Sequence, residues 1–450
     1  MGKLFGTDGI RGVANEYPMT PEIAEKVGHV LAEYIIKKRS PKRILIGRDT
    51  RISGPWIEKA LTDGIIAMGV DVHLTGVIPT PAIAFLTHTL KAGAGIVVSA
   101  SHNPYYDNGI KLFNGDGFKF SDETEGLIEQ LVLKTPEDSQ IKINKTGMIY
   151  HINHADVQYE AFLIKVFKTQ KPFKNIKIVI DCANGATYKV APVIFSDLGA
   201  DVETLFNLPD GKNINDRCGS QFTKTLSQQV VEKKADIGLA FDGDGDRLIA
   251  INEKGITLTG DQILAICAKA MKQDGILNNN LVVSTVMSNM GLGQALKRMD
   301  IGHIRAKVGD RYVVEQMRAN GAVLGGEDSG HTVFLNYHTT GDGILSGLQL
   351  TDIMSKSAKT LSELSEIMTV FPQVLMNVEV TSKPDLNDIP DIIKAIHLVE
   401  TRLGEKGRVL VRYSGTEPLC RVMVEALSRD EALASCQQIV EAVKKSIGKL

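Results

Sequence analysis

The residues best equipped for chemistry fall in four polar clusters. The first is Ser99-Ala100-Ser101-His102-Asn103-Pro104, directly after the apolar run Gly95-Ile96-Val97-Val98. That run reads as a buried strand stopped by an Asn-Pro turn, so two hydroxyls, an imidazole and an amide are presented at a strand end. Sites in α/β sheets lie outside the carboxyl ends of strands, which makes Ser101 a candidate nucleophile and His102 a candidate proton carrier. By itself the stretch is more readily read as a polar turn after a core strand. Its companions change that balance.

In Asp242-Gly243-Asp244-Gly245-Asp246-Arg247, which follows the apolar stretch Asp236 to Phe241, three carboxylates at alternate positions fall on one side of an extended backbone. So much negative charge repels itself unless a hard cation sits in it, and Mg²⁺ prefers such oxygen ligands. An EF-hand loop begins similarly, and Glu253 falls at its twelfth position. Its sixth position needs glycine, however, and here it is Arg247, with flanks that read as strands. A haloacid-dehalogenase-type phosphotransferase, using Asp242 as nucleophile, is the more serious rival, although its pattern wants Thr or Val where Asp246 stands.

The third cluster is Gly325-Gly326-Glu327-Asp328-Ser329-Gly330-His331. Glu327 and Ser329 could hold vicinal hydroxyls or an amine of a sugar, and His331 could carry a proton. In the fourth, Arg412-Tyr413-Ser414-Gly415-Thr416-Glu417-Pro418 with Arg421 beyond it, two arginines, two hydroxyls and a glycine-exposed N–H suit a phosphate that is not transferred. The glycine-rich opening Phe5-Gly6-Thr7-Asp8-Gly9-Ile10-Arg11-Gly12 adds Arg11 as a further anion-binding candidate, although a plain N-terminal turn explains it as well.

The elements that must position these loops repeat. Strands around 44–47, 70–74 and 95–98 alternate with helices over 54–68 and 82–90. A second round has strands at 176–180, 201–205 and 236–241, with a helix ending at Leu198. A third has strands at 281–285, 303–308 and 322–324, with helices over 291–299 and 311–318. Three βαβαβ rounds imply three related α/β domains with mostly parallel sheets, whose right-handed crossovers bring the polar loops to one side. After Phe371-Pro372 the rhythm changes to strands at 374–380 and 408–411, another after Cys420, and a helix over 430–445, a smaller α+β domain. The expected domains are 1–150 with the serine loop, 151–254 with the aspartate loop, 255–370 with the Glu327 loop and 371–450 with the phosphate loop. The active site is expected in the central cleft among them.

Bulk properties narrow the classes. The 450 residues carry 51 Lys+Arg against 53 Asp+Glu, and this near balance argues against a general nucleic-acid or anionic-membrane surface. The five cysteines are scattered, with no CxxC pair or zinc spacing, and read as buried thiols in a reducing compartment. With neither a signal-peptide hydrophobic region nor a membrane-length apolar run, a soluble cytoplasmic protein is expected.

Taken together, the four motifs resemble the α-D-phosphohexomutase superfamily over the whole length and in the family's order. Phe5 to Gly12, Thr285-Val286-Met287-Ser288-Asn289, Val308-Gly309-Asp310-Arg311-Tyr312 and Ser414-Gly415 look like its glucosamine-specific branch. Asp328 and Tyr413 stand where that branch usually has Gln and Pro. The resemblance implies interconversion of glucosamine 6-phosphate and glucosamine 1-phosphate, feeding UDP-N-acetylglucosamine synthesis. Ser101 would be carried as phosphoserine, and the reaction would pass through a bound sugar 1,6-bisphosphate, which also serves as activator.

Mg²⁺ would be held by Ser101, Asp242, Asp244 and Asp246, with Arg247, Lys111 and Arg11 assisting transfer. Lys111, His102 and His331 are the proton-transfer candidates, unranked. The partner is a small-molecule sugar phosphate, with no nucleic acid and no membrane, and a homodimer is compatible with the resemblance. A lid motion hinged near Phe371-Pro372 would let the bisphosphate turn. Phosphomannomutase/phosphoglucomutase activity of the same superfamily is the alternative, and a sugar-phosphate sensor on the same scaffold is a third reading.

Overall fold

The computed structural model describes residues 4–6, 8–134, 146–167, 171–414 and 418–449. Four sheets follow one another along the chain. In the first, the strands Arg43–Arg48, Asp71–Val77, Ala94–Val98 and Ile149–His151 run parallel. Beside Ala94–Val98 the strand Asp107–Asn114 runs antiparallel, and Gly9–Val13 and Phe5–Gly6 extend that edge. Ile149–His151, which the sequence analysis did not assign as a strand, pairs with Asp71–Val77 and is exposed along its length.

The second sheet joins the parallel strands Lys177–Asp181, Asp201–Leu205 and Ile237–Phe241 to antiparallel Leu248–Asn252 and Thr257–Leu258. In the third, Leu281–Thr285, Gly302–Ala306 and Leu324–Gly326 run parallel and Thr332–Phe334 antiparallel. The fourth is wholly antiparallel, Gln373–Glu379, Leu419–Glu425 and Arg408–Tyr413. These are three α/β domains and a smaller C-terminal one, and all five cysteines are buried and free. Among the described residues no helix is long and apolar enough to cross a membrane.

Two compact units emerge. One comprises the chain up to Met287 together with Ile301–Ile367, and the other comprises Ser288–Asp300 and the chain from Met368 onward. The helix Met290–Arg298 therefore belongs with the C-terminal sheet, where the Glu425 carboxylate accepts from Met290 N–H (3.0 Å) and Arg408 Nε (3.1 Å). The chain passes between the units after Met287, after Asp300 and after Ile367, the last a few residues before Phe371-Pro372.

In the larger unit each chemical loop leaves the carboxyl end of a parallel strand and returns in an antiparallel one. The serine loop joins Ala94–Val98 to Asp107–Asn114, the aspartate loop joins Ile237–Phe241 to Leu248–Asn252, and the Glu327 loop joins Leu324–Gly326 to Thr332–Phe334. The expected rounds ended on the strands before these loops and assigned no strand after them. The hairpins instead keep the loops short and tied at both ends by ladder hydrogen bonds, as suits groups that must hold a geometry.

Asp181, at the end of the strand Lys177–Asp181, illustrates how burial is tolerated there. Its carboxylate accepts from Ala183 N–H and Gly219 N–H, each at 2.8 Å. Burial pushes its pKa up to about 6 against those two hydrogen bonds. The folded chain therefore holds this proton more tightly than the unfolded chain. The stability it lends is present below the ordinary aspartate value and is lost as pH rises through about 6. Asp181→Asn does not titrate, so the wild-type advantage over it should shrink by up to ~3 kcal/mol between about pH 4 and about pH 7 in denaturant melts. A difference that stays constant with pH contradicts this.

Candidate active site

Ser101 sits at the tip of the first domain's hairpin in the left-handed region (φ 53°), and its side chain is buried. Its hydroxyl donates to Asp242 Oδ2 at 2.5 Å. The other Asp242 oxygen accepts from Arg247 N–H at 3.1 Å. Asp242, Asp244 and Asp246 are all buried, and each offers a carboxylate oxygen within 4.8 Å of the others'. The alternation read from the sequence thus brings the three together.

Lys111, on the antiparallel strand after the serine loop, donates to Asp244 Oδ2 (2.8 Å) and Asp246 Oδ2 (3.0 Å) and lies 3.3 Å from Asp8. Burial pulls its pKa down, but Asp244, Asp246 and Asp8 more than reverse this and hold it well above the usual lysine value. For Asp246 burial is likewise outweighed, by Lys111 first, and its pKa falls well below the ordinary range. Asp242 moves the other way, well upward, through burial and the neighbouring Asp246 and Asp244 charges.

His102 Nδ1 lies 3.0 Å from Arg247 Nη1 and 3.3 Å from Ser101 Oγ. Burial, then Arg247 and Arg11, lower its pKa to about 4, so the ring is neutral near neutral pH. His331, from the third domain, places Nδ1 3.7 Å from Asp246 Oδ1 and Nε2 3.5 Å from Asp310 Oδ2. Burial lowers its pKa, but Asp246 and Asp310 reverse this and raise it. Glu327 accepts from Gly309 N–H at 3.1 Å and is raised by burial; Ser329 Oγ is buried with no hydrogen-bond partner. Arg11 reaches Asp8 and, at 3.3 Å, Asn103 Oδ1.

Four successive family domains cover nearly the whole chain. Phosphoglucomutase/phosphomannomutase α/β/α domain I matches residues 2–139, domain II 157–255, domain III 259–371 and the C-terminal domain 375–442. The phosphoglucosamine mutase of Syntrophus aciditrophicus is 54% identical over 449 residues, covering 100% of both chains. The chain belongs to the phosphoglucomutase/phosphomannomutase family, among its phosphoglucosamine mutases. It is a phosphohexomutase, an isomerase.

Solved structures match the fold along its length. A phosphoglucomutase/phosphomannomutase family protein from Burkholderia thailandensis superposes with a TM-score of 0.80 at 23% identity, covering 98% of this chain and 99% of its own. The Aspergillus fumigatus N-acetylphosphoglucosamine mutase, solved with GlcNAc-6P and magnesium, gives 0.69 at 18% identity, covering 98% and 95%.

The aspartate triad meets the requirement of a metal site on its own geometry. Among the described residues, Asp244 Oδ1 is a buried oxygen with no hydrogen-bond partner, and Asp246 Oδ1 meets only the longer ion pairs to His331 (3.7 Å) and Arg247 (3.9 Å). Buried anionic oxygens left in this way are costly unless a cation meets them, and an all-oxygen set suits a hard divalent ion. Burial and the neighbouring Asp246 and Asp244 charges favour the protonated form of Asp242, against which such an ion would have to compete.

The sequence reading passed over three charged residues that complete this cluster. Lys119 pairs with Asp8 and, at 2.5 Å, with Asp310, while Asp310 faces His331. A closed ring of charges results, running Asp246, His331, Asp310, Lys119, Asp8, Lys111 and back to Asp246. Asp8 and Asp310 lie within the motifs that carry the family resemblance, but nothing in their local pattern pairs them with a lysine far along the chain.

The fourth cluster belongs to the other unit. Arg412 and Arg421 are direct cross-strand partners, and burial together with the Arg421 charge lowers the Arg412 pKa. Ser414 N–H donates to Leu419 O (2.8 Å), and Lys383 Nζ, which the sequence reading missed, donates to Ser414 O (2.7 Å). Gly415 and Thr416 lie outside the described residues.

Proposed function

We propose that the chain interconverts glucosamine 6-phosphate and glucosamine 1-phosphate through phospho-Ser101 and a bound 1,6-bisphosphate. The observation carrying this reading is the Ser101 hydroxyl 2.5 Å from Asp242 in a buried three-aspartate cluster. Full-length identity of 54% to a phosphoglucosamine mutase supports the amino-sugar substrate over glucose or mannose phosphates. The same reading places the chain in the cytoplasm, supplying the sugar 1-phosphate for nucleotide-sugar synthesis.

In the first transfer the sugar O1 bonds to the phosphorus of phospho-Ser101 as the bond to Ser101 Oγ breaks. The O1 proton leaves to a neighbouring base, and Ser101 recovers a hydroxyl proton. After the bisphosphate turns, Ser101 Oγ takes the phosphoryl group from O6, which gains a proton, so the cycle closes with no net proton change. Mg²⁺, held by Asp242, Asp244, Asp246 and the Ser101 side, would offset phosphoryl charge and polarise the transferred group.

Lys111, held as an ammonium by its carboxylate partners, would stabilise charge on the moving phosphoryl group rather than act as base. Neutral His102, with Nδ1 toward Ser101 Oγ, suits proton acceptance from that hydroxyl. His331, raised by two carboxylates, suits proton donation to a sugar oxygen. Arg247 and Arg11 would line the anionic path. Ser329, buried and unpartnered, and Glu327 would take sugar hydroxyls or the amine. Arg412, Ser414 and Arg421, with Gly415 and Thr416, would bind the phosphate not being transferred.

We assign the serine loop to residues 1–150, the metal loop to 151–254, the sugar loop to 255–370 and the phosphate cradle to 371–450. The test compares turnover of glucosamine, glucose and mannose 6-phosphates with Mg²⁺ and a trace of sugar bisphosphate. Glucosamine 6-phosphate should be fastest; if it is the slowest of the three, the substrate assignment fails while the family stands.

A further inference from the structure

Arg51 is the largest fully buried side chain among the described residues, and it lies behind the serine loop, outside the catalytic cluster. A buried guanidinium is tolerated when each of its five N–H groups is met. All five are met here. Nε donates to Asp49 Oδ2 (2.8 Å), Nη1 to Pro104 O and to Asp107 O (3.0 Å), and Nη2 to Ser101 O (2.9 Å) and Asn103 O (2.8 Å). Four of the acceptors are backbone carbonyls of the loop carrying the nucleophile. Asp49 also accepts from Ser99 Oγ (2.6 Å), and Ser99 Oγ accepts from Ser101 N–H (2.9 Å), so one network reaches both sides of the Ser101 backbone.

A second grip comes from the other domain. Asn215 Nδ2 donates to the same two carbonyls, Ser101 O and Asn103 O, each at 2.9 Å. The aspartate loop closes on this point as well, since a Cβ at Gly243 would lie 2.6 Å from Ser101 O. At φ 53° Ser101 is in a region unfavourable for a residue with a side chain, and it persists only where the surroundings over-determine it. The conformation turns the carbonyl to Arg51 and Asn215 and leaves the hydroxyl on Asp242.

We propose that Arg51 and Asn215 are positioning residues for phosphoryl transfer, locking the serine loop in its left-handed form by binding its carbonyls from two domains. The phosphoryl group on Ser101 Oγ is thereby delivered in register with the Asp242, Asp244 and Asp246 carboxylates. Neither side chain touches the reacting atoms. The inference rests on the phosphoserine reading above and says why that serine is competent.

Arg51→Lys keeps the charge but offers three donors where five are used. Asn215→Leu keeps approximate shape and offers none. With the full chain, Mg²⁺ and glucose 1,6-bisphosphate as phosphoryl donor, intact-mass measurement follows phosphorylation of Ser101, and steady-state assays give kcat and KM for glucosamine 6-phosphate. Both variants should phosphorylate and turn over at least ~10-fold more slowly with KM within about twofold, because misplacement of a reacting group slows the chemical step. The double variant should lose less than the product of the two, since both donors hold the same carbonyls.

Asn215→Leu should melt within a few degrees of wild type, so it decides the matter if Arg51→Lys does not fold. Unchanged phosphorylation and kcat, or a loss no larger than the lost folded fraction, overturns the proposal. A wild-type chain that turns over without ever labelling Ser101 overturns the phosphoserine reading instead, whatever the variants do.

Discussion

Alanine in place of Ser101 should stop interconversion of the sugar phosphates, with kcat lower by on the order of 10⁴ or more. Oγ is the Ser101 atom that meets Asp242, and among the described residues no other hydroxyl side chain hydrogen-bonds that carboxylate. Stability should change little, because the backbone bonds to Ser99, Arg51 and Asn215 do not involve the deleted oxygen. Intact-mass analysis after incubation with bisphosphate should show no phosphoryl adduct, and melting should stay close to wild type. Turnover of the alanine variant at the wild-type rate would falsify the covalent route.

The second large effect is expected at Asp244. Its Oδ2 accepts from Lys111 Nζ (2.8 Å) and Thr80 Oγ1 (2.6 Å), while its buried Oδ1 has no hydrogen-bond partner. Asp244→Asn removes a charge from the set that would hold the ion and turns a neutral amide toward a buried ammonium. Activity at saturating sugar phosphate should fall by about 10²-fold or more, and the Mg²⁺ concentration for half-maximal rate should rise at least ~10-fold. Added Mg²⁺ should raise the melting temperature of wild type and do much less for the variant. An unaltered Mg²⁺ requirement in Asp244→Asn would remove the triad from the metal site.

Much of the site was legible because it is written in local pattern. Alternating Asp and Gly after a buried strand can present its carboxylates only on one side, whatever the rest of the chain does. Ser101, at the end of Gly95 to Val98, was found by the same logic of strand followed by polar turn. The charge ring was not legible. Lys119 pairs with Asp8 and Asp310 from three separate segments, and no periodicity links them. Arg51 was missed for a related reason: in sequence it is one more charged residue in a loop, and only its five acceptors show that it is buried and saturated.

The strand directions divide in the same way. Apolar runs near 44–47, 176–180 and 281–285 lie in parallel pairs as their spacing implied. The antiparallel return after each chemical loop was not foreseen. Leu248–Asn252 was not assigned as a strand, and Thr332–Phe334 is too short to signal itself.

The sequence by itself determined which atoms are available: one serine at a strand end, three alternating carboxylates, a Glu-Ser-His loop and a pair of arginines. Their chemistry follows from residue type and short spacing, which the backbone enforces locally. Only the tertiary structure decided which oxygen faces which proton. The Ser101 hydroxyl meets Asp242 because a left-handed turn is held by carbonyl bonds from Arg51 and Asn215, 50 and 114 positions away. The protonation tendencies of Lys111, His102 and His331 likewise depend on burial and on charges brought from distant segments, and electrostatic energy depends on distance in space, not on separation along the chain.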